Sequence, residues 1–246
     1  MPFTPAHPAI ILPFLKINPE RVSATALVIG SVAPDFEYFF KMSVSGQHSH
    51  TLLGILYFNI PVTIGLALLF HEVVKKNLIS NLPAFLQYRF QETLKLNFRE
   101  RFKKYYWVVI ISAAIGSFSH IFWDAFTHND GFFAQRISFY KHVVVPFDGV
   151  RYPLFYGLQH ISTYVGLTIV LLYIFFMKAD KNMPVSKPLF SYWMLLGLIT
   201  AVVISLRLFL AQQSLDLGNM VVSSISAILL ATLVCGRIKL RKQVIY

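Results

Sequence analysis

Long apolar runs separated by short polar segments set the pattern of this chain. A helix needs roughly 20 mostly apolar residues to cross about 30 Å of hydrocarbon. Five runs qualify: residues 51–70, 105–123, 158–177, 189–210 and 217–236. Arg207 is the one full charge inside them, and it lies near enough to an end to snorkel. The pattern predicts an all-α polytopic membrane protein of about five transmembrane helices, folded as a single integral membrane domain over 1–246. A shorter run, 22–34, ends at Pro34-Asp35 and is too short to span. It reads as a short N-terminal helical segment that dips into the membrane or packs on the bundle. A sixth span over about 22–40 is the alternative, and it would move residues 1–20 to the other side.

The segment 78–104 interleaves basic residues with Phe and Leu. We read it as an interfacial helix, with Phe85, Leu86, Phe90, Leu94 and Phe98 in the lipid boundary and the basic side chains on anionic headgroups. A solvated connector is the alternative.

Composition sharpens this picture. Apolar types make up 56% of the 246 residues and charged types 13%, against about 25% charged in a soluble domain. So few charges argue against a soluble globular enzyme, and 23 Phe with 12 Tyr argue against disorder. The net charge is +11, and its distribution matters more than its size. The segments 71–104 and 178–188 and the C-terminal tail hold 15 Lys and Arg, while 1–50 and 124–157 hold 6 and 211–216 none. The excess of positive charge on cytoplasmic loops therefore predicts a cell-membrane protein with a cytoplasmic C-terminus. Residues 1–50, 124–157 and 211–216 are expected to face outward. That bias already accounts for the charge, so the bilayer is the expected partner and nucleic acid is not. The opening MPFTPAHPAI has no basic region or cleavage pattern of a secretory signal. A single cysteine, Cys235, excludes an intrachain disulfide and a cysteine-based zinc cluster.

The candidate chemistry lies in the histidines. Of the eight, His7, His48, His50, His120, His128, His142 and His160 fall at outward ends or in outward segments, and only His71 at a cytoplasmic end. His120, Asp124 and His128 are spaced i, i+4, i+8, so on a continuous helix they advance by only about 40° per step and share a face. Two imidazoles and a carboxylate on one face suit zinc or manganese. A carboxylate at the edge of an apolar helix is costly without such a role. A second polar group, Asp35, Glu37, His48 and His50, precedes the first span. His48 and His50 share a face if the approach is extended, whereas at a helix start Ser49 would be the cap.

The segments MPFTPAHPAI, GSVAPDFEYFF, HSHTLLG and SHIFWDAFTHNDG resemble a bacterial multi-pass family of unknown function that is similar to the membrane-bound metal-dependent hydrolases. More remotely, the order of polar residues looks like the zinc-dependent phospholipase C and single-strand nuclease fold, which is all-helical. The closer resemblance covers about residues 1–165, and the two spans in 189–236 carry little of it. The remote resemblance implies a ligand order of His7, Asp35, His50 (or His48), then His120 and Asp124, with Asp124 bridging, then His128 and His160, with His142 a weaker candidate. The remote fold's later His-x-x-x-Glu pair is missing, since Tyr164 stands four after His160.

Two functions follow as expectations. One is a membrane-bound metal-dependent hydrolase acting on a phosphoester or lipid headgroup, with one or two divalent ions, zinc first and manganese second. Zinc would lower the pKa of its bound water from 15.7 to about 7, Asp35 or Glu37 would act as the base, and Arg136, Lys141 or Arg151 would steady the phosphate. The other is a non-catalytic multi-pass protein whose polar cluster is a structural metal site or a hydrogen-bonded core. In both, the cluster sits at the outer face.

Overall fold

The computed structural model describes residues 3–147, 149–182, 184–211 and 216–238. The tail charges Lys239, Arg241 and Lys242, the loop residues 212–215 and the Lys141 side chain lie outside the described residues. The fold is nearly all-α, with a single antiparallel hairpin, Val144–Phe147 with Val150–Pro153, among the described residues. Five helical stretches are long and apolar enough to cross a membrane: Leu52–Asn81, Tyr106–Arg136 (α-helical to Thr127 and again over Phe132–Arg136), Leu154–Phe176, Phe190–Leu210 and Leu217–Arg237. They are spans one to five. The five-span expectation holds. In place of a sixth span, residues 24–41 form two short helices, Ala24–Gly30 and Phe36–Lys41, joined through a 3-10 turn at Ala33–Asp35.

Span one is longer than its apolar run because the helix continues past the last apolar residue as Lys75–Asn81. It carries two π-helical stretches, Ile55–Asn59 and Phe70–Val74. Such insertions shift the helical phase and often accompany functional sites.

The chain divides into two compact units. The first comprises Met1–Asp35, Gln47–Ile64 and Tyr105–Phe176. Its N-terminal segment is a 3-10 helix, Thr4–Lys16, with Pro8 and Pro13 inside it. Proline removes a backbone donor that an α-helix interior would need. This segment packs on span three, and the Phe3 amide donates to Thr163 Oγ1 at 2.9 Å. The helix Ala24–Gly30, capped by Ser23, packs on span two. Small residues allow a close approach there, as is usual where helices meet within a membrane. A Cβ at Gly30 would lie 2.6 Å from the Ala113 carbonyl oxygen, and one at Gly116 2.8 Å from the Ser31 amide. Ser117 Oγ donates to the Gly30 carbonyl at 3.2 Å and binds the same seam. Val109, Ala113, Gly116, His120 and Asp124 form one buried stripe at helical spacing, so the packing that buries the small residues buries the ionisable ones too.

The second unit comprises Phe36–Gly46, Gly65–Lys104 and Met177–Tyr246. Spans four and five pack together, with Tyr192 buried in their interior. Asn77 Nδ2 donates to the carbonyls of Cys235, Gly236 and Ile238 and so closes the end of span five. The segment after span one is two helices, Ala84–Lys95 and Phe98–Lys104. Lys75 Nζ donates to the carbonyls of Leu96 (2.5 Å) and Thr93 (3.3 Å), capping the first of them. One interfacial assignment needs correcting. Phe85 is exposed, but Phe98 is fully buried and stacks on His71, because a ring there fills the space over that imidazole.

The close helix contact generates a prediction. Gly116→Val should destabilise the protein by about 1–3 kcal/mol through overpacking, read as a lowered unfolding temperature in detergent. Gly65→Ala is the control, since a Cβ at Gly65 meets nothing within 4 Å. Equal melting of both variants would contradict this packing.

Candidate metal centre

Four separate segments of the first unit bring polar side chains to one place. The 3-10 helix supplies His7, the Ala33–Asp35 turn Asp35, the approach to span one His50, and the end of span two His120, Asp124 and His128. His7, Asp35 and His120 are fully buried and Asp124 nearly so, while the side chains of His50 and His128 each keep 24% exposure. The cluster is therefore sealed at His7, Asp35 and His120 and less enclosed at His50 and His128.

Its inner geometry is a ring of alternating nitrogen and oxygen. His120 Nε2 lies 3.2 Å from Asp124 Oδ2 and 3.5 Å from Asp35 Oδ1. His50 Nε2 lies 3.6 Å and 3.4 Å from the same two oxygens. Ligand atoms about 2.0–2.2 Å from one ion stand roughly 2.8–3.6 Å apart for angles between 90° and tetrahedral. All four edges fall in that range. The other Asp124 oxygen, Oδ1, faces His7 Nε2 at 3.7 Å and His128 Nδ1 at 3.6 Å. Asp124 thus presents one oxygen to each of two histidine pairs. Two triads, His7–Asp35–His120 and His50–His120–Asp124, have the compactness needed to hold an ion.

The surroundings fix the orientation of these groups. His120 Nδ1 lies 2.8 Å from the Ser31 carbonyl, which can only accept, so Nδ1 carries a proton and Nε2 is the ring atom turned to the carboxylates. A second contact of this kind is typical of metal-ligating histidines. Thr4 Oγ1 donates to Asp35 Oδ2 at 2.5 Å and leaves Oδ1 turned to the ring. Ser49 Oγ and His50 Nδ1 are 2.9 Å apart, and Asn59 Nδ2 holds the Ser49 carbonyl at 2.8 Å. His7 stacks on His120 with centroids 3.6 Å apart and takes the edge of Trp123 at 5.6 Å. Burial and the facing His120 push the His7 imidazole down to about 3, against the pull of Asp124 and Asp35, so it is neutral near pH 7. Burial works to raise the Asp35 carboxyl, but His120 and His50 outweigh it and hold Asp35 below the ordinary carboxylate range. Both groups are in the protonation state a cation requires.

After these bonds are counted, polar atoms remain without a hydrogen bond: both ring nitrogens of His7, Asp35 Oδ1, His120 Nε2 and both oxygens of Asp124. Buried polar atoms are normally satisfied. Here Asp35 Oδ1 and Asp124 Oδ2 both face His120 Nε2, and Asp124 Oδ1 faces His7 Nε2.

Not every candidate joins the cluster. Of the adjacent pair, His50 joins it, while His48 is exposed and its Nδ1 meets Tyr57 Oη at 3.0 Å. Thr51, not Ser49, caps span one, accepting from the Gly54 amide. Glu37 belongs to the second unit and pairs with Lys41 at 2.7 Å. His160 is exposed and lies against the Tyr156 ring, and His142 is exposed on the short helix Phe139–His142. Arg136 lies over the Phe132 ring at 3.9 Å, and Arg151 is exposed on the hairpin. His71 belongs to the second unit, within 3.1 Å of Lys75. His128 reaches Asp124 from the cap position, because the helix ends at Thr127 instead of continuing through it. The sequence reading missed Thr4, Ser31 and Trp123. Thr4 alone left a signal: three residues before His7, it falls one 3-10 turn away.

No curated protein and no solved structure matches the chain. Residues 1–236 match one family along nearly their whole length. On that match the chain belongs to the family described as domain of unknown function DUF4184.

Proposed function

We propose that this is a multi-pass membrane protein whose His/Asp cluster binds divalent metal and supports hydrolysis of a phosphoester at the membrane surface. The observation that carries the reading is the ring of His50, His120, Asp35 and Asp124, with edges of 3.2–3.6 Å and inward-facing atoms of His120, Asp35 and Asp124 that no hydrogen bond satisfies. Its donor set of neutral imidazole and carboxylate suits zinc, or manganese as the second choice. His7 and His128, facing the other Asp124 oxygen, would hold a second ion. When bound, such ions activate water and polarise a phosphoryl oxygen. The chain's own residues do the remainder. Asp124 keeps two positions in register, Ser31 and Thr4 orient His120 and Asp35, and the partly exposed His50 and His128 mark the side from which substrate enters. The charge bias of the loops supports a mouth on the outer side of the cell membrane, with the C-terminus cytoplasmic.

A second reading has one observation in its favour. A proton on His120 Nε2 would satisfy the 3.2 Å approach to Asp124 without an ion. Metal content separates the two. Asp124→Asn should lose most of the metal bound per folded protein, while His160→Ala should keep it, as measured by plasma mass spectrometry after purification without chelator. An Asp124→Asn protein that folds with full metal content would refute the site. Thr4→Val, which removes the bond to Asp35, should weaken metal binding roughly 10- to 100-fold, measured by competition with a chromogenic chelator. Orientation has its own test: a reporter fused at the C-terminus should be active only in a form that requires the cytoplasm, and activity of a periplasm-dependent reporter there would reverse the assignment.

A further inference from the structure

The connection between spans two and three carries a feature that the metal reading does not use. Strands Val144–Phe147 and Val150–Pro153 pair antiparallel, with Val145 opposite Tyr152 and Phe147 opposite Val150. Alternate residues of a strand share a face. Val145, Phe147, Val150 and Tyr152 therefore lie on one face, and Val144, Pro146, Arg151 and Pro153 on the other. The base of the first face is covered. Val145 packs at Gly157, where a Cβ would lie 2.6 Å from its Cγ2, and Tyr152 stacks on Tyr156 with centroids 4.8 Å apart. The outer end of that face is not. Phe147 is 72% exposed and Val150 50% exposed beside the turn at Gly149, whose φ of 73° favours glycine. The hairpin sequence carries two charges, Arg151 on the opposite face and Asp148, which lies outside the described residues.

Two constraints identify the occupant of the bare end. The hairpin has no linker to the membrane, since Pro153 is followed directly by Leu154, the first residue of span three. Its base is fixed at the bilayer boundary. A four-residue strand reaches roughly 13 Å, whereas the headgroup layer is only about 5–8 Å deep on each side. Standing upright, the hairpin would carry Phe147 and Val150 through that layer into water. An isolated two-stranded ribbon is also marginal in water. Lying along the boundary, it buries both side chains in lipid, and Arg151 on the other face is left to headgroup phosphates. The preceding stretch fits the same plane, with Phe132, Ile137 and Phe139 all exposed. We propose that the strands Val144–Phe147 and Val150–Pro153 form an interfacial anchor that lies in the lipid boundary on Phe147 and Val150, on the same side of the membrane as the end of span two. The anchor does not depend on whether the cluster binds metal.

The test uses the full chain in vesicles of mixed phosphatidylcholine and phosphatidylglycerol, with a nitroxide on Val150→Cys in a Cys235→Ser background. Collision with oxygen should exceed collision with a water-soluble nickel chelate, and nickel access should be roughly fivefold lower than for a label on the exposed Asn182→Cys. Nickel access equal to that of Asn182→Cys would place the hairpin in water and overturn the proposal. Spin–spin broadening that vanishes when labelled protein is diluted with unlabelled protein would show a second copy on this face, and would overturn it equally. Phe147→Cys repeats the measurement should Val150→Cys fail to insert.

Discussion

Everything in the first unit turns on keeping two carboxylates and four imidazoles together at the edge of a hydrophobic helix. An isolated ionised carboxylate taken out of water costs many kcal/mol, and at the membrane boundary it has little solvent to retreat to. Asp35 and Asp124 are tolerated because every approach to them is filled by an imidazole, with Thr4 closing the remaining oxygen of Asp35. The arrangement balances charge only when something positive sits at its centre. One proton offsets only one of the two carboxylate charges, whereas a divalent ion offsets both, and each of the triads His7–Asp35–His120 and His50–His120–Asp124 is compact enough to hold one.

That demand explains the local architecture. Four segments must reach one point, and one of them has to come from the N-terminus without adding a span. Pro8 and Pro13 keep the Thr4–Lys16 segment out of an α-helix, and the tighter 3-10 winding puts Thr4 and His7 one turn apart, each beside Asp35 or Asp124. The Gly30–Gly116 seam then brings the Ser31 carbonyl to His120. A bulkier residue in that seam would move a backbone acceptor, and the orientation of a buried imidazole would move with it. Packing and site are therefore one structure, since the stripe that joins two helices ends in the ligands.

The sequence made the spans legible because lipid imposes a length and a composition on any helix that crosses it. The i, i+4 relation of His120 and Asp124 was legible for the same reason: within a span the backbone geometry is known in advance. Outside the spans that certainty ends. His48 and His50 are two residues apart, and only the turn before Thr51 decides which of them faces inward. His128 follows the spacing of a helix that has already ended. The Ser31 carbonyl has no side-chain signature at all, so its bond to His120 was beyond any reading of residue types. His160 matched an expected order of ligands, yet order along a chain does not fix where a side chain points, and its ring lies on Tyr156.

The open and closed sides of the cluster carry the last step. A structural ion is best served by a closed shell, and a catalytic one by a vacant position that solvent can reach. His7, His120 and Asp35 are sealed, so no ligand enters from their side. The 24% exposure of both His50 and His128 puts access on one flank, next to the same Asp124 carboxylate that faces both histidine pairs. A substrate arriving there would meet imidazoles before carboxylates, which suits an anionic group better than a cationic one. The asymmetry between sealed and exposed side chains, more than the number of ligands, is the feature that supports the proposed reaction over a purely structural ion.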